Sequence, residues 1–207
     1  MLVIAAMLGG CSEGVDNDRV RVDVIEERPR PFSISAAPLP LASAYLRSAT
    51  AQGLVTFDAK GRVAPGLANR WIVTDDGMSY IFRLNKMRWN DQREVTSDEV
   101  ASLMTARIKD LGKGRFNAEL AVIDRVVPMT GKVVEIRLKA PMPYLLEMLA
   151  QPEFGLVRKG FGSGPMQAEK LGEAMQLRRK GLDEMGDPMI EPETVTIRSS
   201  KASLALA

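Results

Sequence analysis

Trp71-Ile72-Val73-Thr74-Asp75-Asp76-Gly77-Met78-Ser79-Tyr80-Ile81-Phe82-Arg83-Leu84 is the stretch on which the fold class turns. Two apolar runs flank Thr74-Asp75-Asp76-Gly77, and Asp-Gly between such runs is a strong hairpin signal. Tyr80, Phe82 and Leu84 fall on one face of the second run, the period of a half-buried strand. Downstream, Thr96-Ser97-Asp98-Glu99 has the form of a capping box. The Thr96 hydroxyl accepts from the Glu99 N–H while the Glu99 carboxylate reaches back. Val100, Leu103, Met104, Ile108 and Leu111 then recur at helical spacing, and Gly112 and Gly114 end the run. A hairpin feeding an amphipathic helix is a mixed architecture, neither all-α nor all-β.

Working outward, Val20, Val22 and Val24 alternate with Arg19, Arg21 and Asp23, which predicts a strand over 19–25. Pro29, Pro31, Pro38 and Pro40 mark a bend. A helix is expected over 41–52, with Leu41, Ala44, Tyr45, Ser48 and Ala49 on one face and Gly53 as its stop. Residues 54–57 read as a short strand, followed by turn chemistry at Asp58-Ala59-Lys60-Gly61. Val134, Ile136 and Leu138 alternate with charged residues in another strand. Pro141-Met142-Pro143 leads into a short helix over 144–150, and Val195 and Ile197 mark a last strand. Arg178-Arg179-Lys180 is the one compact basic cluster and reads as a solvated strand end.

Composition removes whole classes of chemistry. Lys+Arg is 28 and Asp+Glu 26, a net charge of only +2 with no basic stripe, so nucleic acid is not an expected partner. Histidine is absent and there is one cysteine, which excludes a Ser-His-Asp triad, a Cys-His dyad, a histidine zinc site and any internal disulfide within this chain. Scattered carboxylates are not placed by a motif, so no catalytic residue, cofactor or metal ligand is expected. Trp71, Tyr80, Phe82 and Trp89 read as core, and Met166, Met175, Met185 and Met189 as gap-fillers. Asp75, Asp76 and Asp91 read as turn residues that accept backbone N–H groups.

Residues 1–10 form an apolar run too short to span a bilayer. With Leu8-Gly9-Gly10-Cys11 it resembles a secretion signal ending in a bacterial lipobox, although no Lys or Arg precedes Cys11. Cys11 is then the expected lipidation site and membrane anchor. Residues 12–18 are polar and suit a flexible tether.

A family resemblance joins these pieces. Gly53-Leu54-Val55 with Phe57-Asp58 and Gly61, Pro65-Gly66-Leu67-Ala68 with Trp71, and Asp76-Gly77 with Tyr80, Phe82 and Leu84 resemble, in order, motifs of the family 5 extracellular solute-binding proteins. So do Trp89-Asn90-Asp91, the run 95–100, Pro141 with Pro143 and Leu146, and Gly162-Ser163-Gly164-Pro165. Three positions depart from the pattern. Gln92 stands where the family has Gly, Glu94 where Pro is common, and Met166 where an aromatic residue closes the Gly-rich segment.

The resemblance implies an α/β (mixed α+β) periplasmic-binding-protein-like class II clamshell, of which this chain holds the first lobe only, truncated before the second. It implies a first strand and cleft-edge segment at 19–40, a hairpin/helix subdomain at 41–159 and a return segment at 160–207. The implied function is capture of peptides, or of nickel and other small solutes, in the periplasm or cell envelope, with delivery to the permease subunits of an ABC importer. The protein is expected to be a monomer and not an enzyme. The implied ligand-binding cleft edge comprises Phe32, Ser33, Ile34 and Ser35 together with Gly162, Ser163 and Gly164. Two alternatives stay open: a truncated, binding-inactive fragment, and an envelope lipoprotein acting through protein–protein contacts.

Overall fold

Alternating valines and charges make β1 (Arg19–Ile25); Val22 and Val24 turn inward, Val24 buried, while Val20 at the strand's start is exposed. In the computed structural model, which describes residues 19–26, 39–182 and 188–201, this strand is the edge of a four-stranded sheet ordered β1-β10-β9-β8. β8 spans Met166–Leu171, β9 Ala174–Leu182 and β10 Pro188–Ser200. β1 runs parallel to β10, and the other pairs are antiparallel. Val24, Leu177 and Ile197 of this sheet form a small core with Ala42 and Leu46 of helix α1 (Leu41–Thr50).

The face of α1 expected to turn inward is the outer one. Leu41 and Tyr45 are 52% and 53% exposed, while Ala42, Ser43, Leu46, Arg47 and Thr50 are buried. The physical reason is Arg47. Its guanidinium donates from Nε (3.1 Å) and Nη2 (2.5 Å) to the Gly155 carbonyl, so a residue that reads as solvent-facing sits at the centre of the buried stripe. Burial, with Arg107 nearby and only partial relief from Glu153, pulls the Arg47 guanidinium down to about 9.

A second, larger core lies behind a separate sheet. The short pair β2 (Val55–Phe57) and β3 (Val63–Pro65) leads into β4 (Ala68–Val73) and β5 (Ser79–Leu84). The β4–β5 hairpin forms as read: Gly77 takes φ 67°, and Asp76 Oδ1 accepts from Thr74 Oγ1 (2.6 Å) and Met78 N (2.9 Å). β7 (Val133–Leu138) pairs with β5, and β6 (Ile123–Met129) closes the order β4-β5-β7-β6. Helix α2 (Ser97–Leu111) lays Val100, Met104 and Leu111 against this sheet, joined by the short helices α3 (Asn117–Leu120) and α4 (Leu145–Leu149). Phe82, Val134 and Ile136 are fully enclosed, each contributing about 1.5–3 kcal/mol relative to exposure.

The capping box is half made. The Glu99 N–H donates to Thr96 Oγ1 at 3.3 Å, but the Glu99 carboxylate is drawn elsewhere. Its Oε1 accepts from Arg158 Nε (2.8 Å) and its Oε2 from Trp89 Nε1 (3.1 Å), charge-assisted partners that outcompete a neutral backbone N–H. The basic cluster at Arg178 and Arg179 is also not a strand end: it lies within β9, and Arg178 is half-buried.

Candidate functional site

The segment that joins the two sheets is built around a tight turn. Arg158 and Phe161 exchange both backbone hydrogen bonds at 2.8 Å, and the two residues between them, Lys159 and Gly160, have φ 48° and 85°. Positive φ at both central positions is the signature of a type I′ turn, which holds Phe161 outward at 45% exposure. The chain then passes over the C-terminal end of α1. Gly162 accepts from the Asn90 N–H at 2.9 Å, and Gly164 donates to the Thr50 carbonyl at 2.9 Å.

Glycine is required at both positions by space. A Cβ at Gly162 would lie 1.9 Å from the Thr50 carbonyl oxygen, and one at Gly164 would lie 2.4 Å from the Thr50 carbonyl carbon. Ser163 between them is buried, and its Oγ has no partner among the described residues.

Arg158 fastens this crossing to the loop and helix that carry the larger core. Besides Glu99, its guanidinium grips Asp91 Oδ2 in an ion pair. The hydrogen bond to Glu99, with Asp91 adding to it against the cost of burial, raises the already high pKa of Arg158. Burial pushes Asp91 up, but the Arg93 backbone N–H and the Arg158 guanidinium outweigh it, and the net displacement is below the ordinary carboxylate value. Asp91 therefore does more than satisfy its own turn.

The same loop contains a strained residue. Gln92 has φ 68°, the left-handed region, at the position where the family pattern has glycine. A side chain there costs roughly 1 kcal/mol, so Gln92→Gly is expected to raise the melting temperature by about 2 °C. Thermal melting of the two proteins side by side checks this, and no rise would mean that the loop relieves the strain elsewhere.

Beside the crossing lies an open cleft of about 480 Å³. Its apolar lining comes from Leu46, Phe161 and Met175, and its polar lining from Asn90, Gln167, Glu169 and Lys170. One wall is β8, an edge strand whose outer side is unpaired among the described residues, as an added extended chain would need. Of the expected cleft-edge residues, Gly162 lines this cleft, and Ser163 and Gly164 continue from it across the C-terminal end of α1. Phe32, Ser33, Ile34, Ser35 and Cys11 lie outside the described residues.

Phe161 and the β8 wall were not singled out by sequence reading, and Asn90 was read only as part of a family motif, not as a cleft residue. The Lys159-Gly160 pair was the available signal for the turn, and nothing local marks Arg158. Among the described residues no group of three or more His, Cys, Asp or Glu side chains could hold a metal, and no helix is long and apolar enough to cross a membrane.

The profile of the bacterial extracellular solute-binding proteins, family 5 Middle, matches residues 62–178, more than half of the chain. The chain belongs to the family 5 solute-binding proteins. A curated relative, the probable deoxycholate-binding periplasmic protein YgiS of Escherichia coli (strain K12), is 28% identical over 120 residues, 49% of this chain and 22% of its own length. Among solved structures, the periplasmic oligopeptide-binding protein OppAIV of Borrelia burgdorferi superposes with a TM-score of 0.72 at 21% identity, over 90% of this chain and 44% of its own. NikZ of Campylobacter jejuni in complex with Ni(L-His) gives 0.71 at 19% identity, over 91% of this chain and 41% of its own. The family 5 chain thus has the mixed α/β fold of periplasmic binding proteins and spans less than half the length of these relatives.

Proposed function

We propose that this chain is the solute-capturing part of an ABC importer, taking up peptides outside the cytoplasmic membrane and delivering them to a permease. The observation that carries the reading is the family 5 match over residues 62–178. The cleft beside Gly162 supports the peptide class. An extended peptide recognised as an added strand gains affinity from main-chain hydrogen bonds and specificity from side-chain pockets, and edge strand β8 with its mixed lining offers both.

In this reading, residues 1–11 are a lipoprotein signal with Cys11 as the lipid anchor in the periplasm or cell envelope. Residues 12–18 are the tether, 19–40 carry the first cleft edge, 41–159 form the hairpin/helix subdomain, and 160–207 return to the first lobe. Phe32, Ser33, Ile34 and Ser35 complete the cleft edge with Gly162, Ser163 and Gly164. Binding, not catalysis, is the role of this surface.

The test is thermal melting of the full chain against di- to tetrapeptides, a nickel–histidine complex and deoxycholate. A ligand present at 100 times its Kd stabilises by about 2.7 kcal/mol, a rise of several degrees. A peptide-dependent rise that Phe161→Asp abolishes supports the proposal. No shift with any of these up to millimolar concentration sinks it. The exposed Leu41 and Tyr45 on α1 favour a second reading, in which this surface contacts another protein. Recovery of an envelope protein that Tyr45→Asp releases would support that instead.

A further inference from the structure

We infer that the outer face of the β4-β5-β7-β6 sheet docks on an anionic lipid surface, with Arg70 and Arg83 on the headgroup phosphates and Ile72 and Met129 among the headgroups. Tyr80, Phe82, Val134 and Ile136 turn into the larger core, so their neighbours along each strand face outward. Register sets those neighbours in three rows. Arg70 faces Arg83, which faces Val133, which faces Met129. Ile72, Ile81, Glu135 and Val127 make the central row, and Ser79, Arg137 and Arg125 the third. Four arginines that stand far apart in the sequence thus border one apolar band. The band is open: Ile72 is 65% exposed and Met129 43%, and Ile81, Val127 and Val133 are half-buried.

The acids of this region are engaged elsewhere, and none of them answers the first row. Glu135 Oε2 accepts from Arg137 Nη2 at 2.9 Å and its Oε1 from Ser79 Oγ at 2.5 Å. The bond from Arg137, then that from Ser79, holds the Glu135 carboxyl below the ordinary range. Asp124 pairs with Arg125 at 2.7 Å, and Glu94 with Lys132 at 2.5 Å. Asp75 and Asp76 lie in the turn at the other end of the β4–β5 hairpin. Arg70 and Arg83 are exposed, and their side chains have no hydrogen-bond or ion-pair partner among the described residues. Like charges directly opposite on neighbouring strands destabilise a sheet, and an anionic surface offsets that cost.

Size decides what kind of surface fits. Four strands about 4.8 Å apart, of about six residues at about 3.4 Å each, present roughly 400 Å². A stable protein–protein interface needs about 800 Å² from each partner. A second copy meeting this face with its own would also set the Arg70–Arg83 pair against an equal excess of positive charge. A bilayer needs no matching shape, and its phosphates are free to gather under the two arginines. Each guanidinium near an anionic bilayer strengthens binding about fivefold. Apolar side chains at headgroup level add to that attraction. None of these residues lines the cleft at Gly162, so this face and the solute site can be tested separately.

The experiment is cosedimentation of the full chain with vesicles of phosphatidylcholine alone and with about 30% phosphatidylglycerol added. The ratio of the two affinities is read, which cancels any binding through the apolar residues 1–10. The anionic vesicles should bind at least about tenfold more tightly, and about 0.5 M salt should remove the difference. Arg70→Gln/Arg83→Gln should bring the ratio to within about twofold of unity. The same variant should melt no lower than the unaltered chain, because it relieves repulsion between the strands. Ile72→Ser, at an exposed position, should weaken binding to the anionic vesicles severalfold. Arg21→Gln, an exposed arginine on the other sheet, should leave the ratio unchanged. Poly-L-glutamate is titrated alongside as an acidic polypeptide. A ratio near unity for the unaltered chain, an undiminished ratio in the double variant, or arginine-dependent binding of poly-L-glutamate without binding to vesicles would overturn the inference.

Discussion

Gly162→Ala is expected to lower the melting temperature of this protein by about 10 °C, a loss of about 3 kcal/mol. The added methyl would lie 1.9 Å from the Thr50 carbonyl oxygen, and the same position is 3.0 Å from the Ala51 Cα. Both neighbours are backbone at the end of α1, so no side chain can swing aside. The segment must lift, which strains the Asn90–Gly162 and Gly164–Thr50 hydrogen bonds that seat it. Gly160→Ala is the informative companion. Gly160 has φ 85° but nothing within 4 Å of its missing Cβ. That substitution should cost only about 1 kcal/mol, the dihedral penalty alone. If Gly162→Ala melts no lower than Gly160→Ala, the close crossing over α1 is not what the glycine is for.

Trp89→Ala should cost about 3–5 kcal/mol. The indole is 1% exposed and belongs to the larger core, and its Nε1–H reaches the Glu99 carboxylate at 3.1 Å. Removing it leaves a large cavity and takes one of two donors from Glu99. Chemical denaturation followed by fluorescence reads this directly. Trp71 is only half-buried, so the change in signal on unfolding comes mainly from Trp89. Because the variant lacks that reporter, its transition is followed by circular dichroism. Trp89→Phe keeps most of the volume and loses the hydrogen bond, and should cost distinctly less than the alanine variant. Equal losses would place the energy in the hydrogen bond to Glu99 and not in packing.

What could be read before folding was whatever lies within one turn of chain. The Thr74–Gly77 hairpin, the Thr96 cap, the apolar stripe of α2 and the alternation in β1 and β7 are all local patterns, and each forms where it was read. β8 escaped notice and β9 was read only as a strand end at its basic run, because polar residues break the apolar alternation of both; they are strands because β10 and each other supply partners. β6 escaped for a similar reason: Asp124, Arg125 and Pro128 interrupt its pattern, and its place at the edge of the sheet tolerates them.

The site divides along the same line. Its glycines are visible as letters at 160, 162 and 164, and the family order of motifs ties them to a solute-binding fold. Their reason is visible only in three dimensions, where the Thr50 carbonyl occupies the space a side chain would need. Arg47 and Arg158 show the same limit. Either could have been a solvated charge, and their partners, Gly155, Asp91 and Glu99, stand 108, 67 and 59 residues away in the chain. By itself the sequence determined the strands and helix with a strong period, the absence of histidine and of any disulfide within this chain, and the family. Tertiary structure alone decided which face of α1 is buried, where Glu99 spends its charge and which wall the cleft has, because each depends on a partner that only folding brings within hydrogen-bond reach.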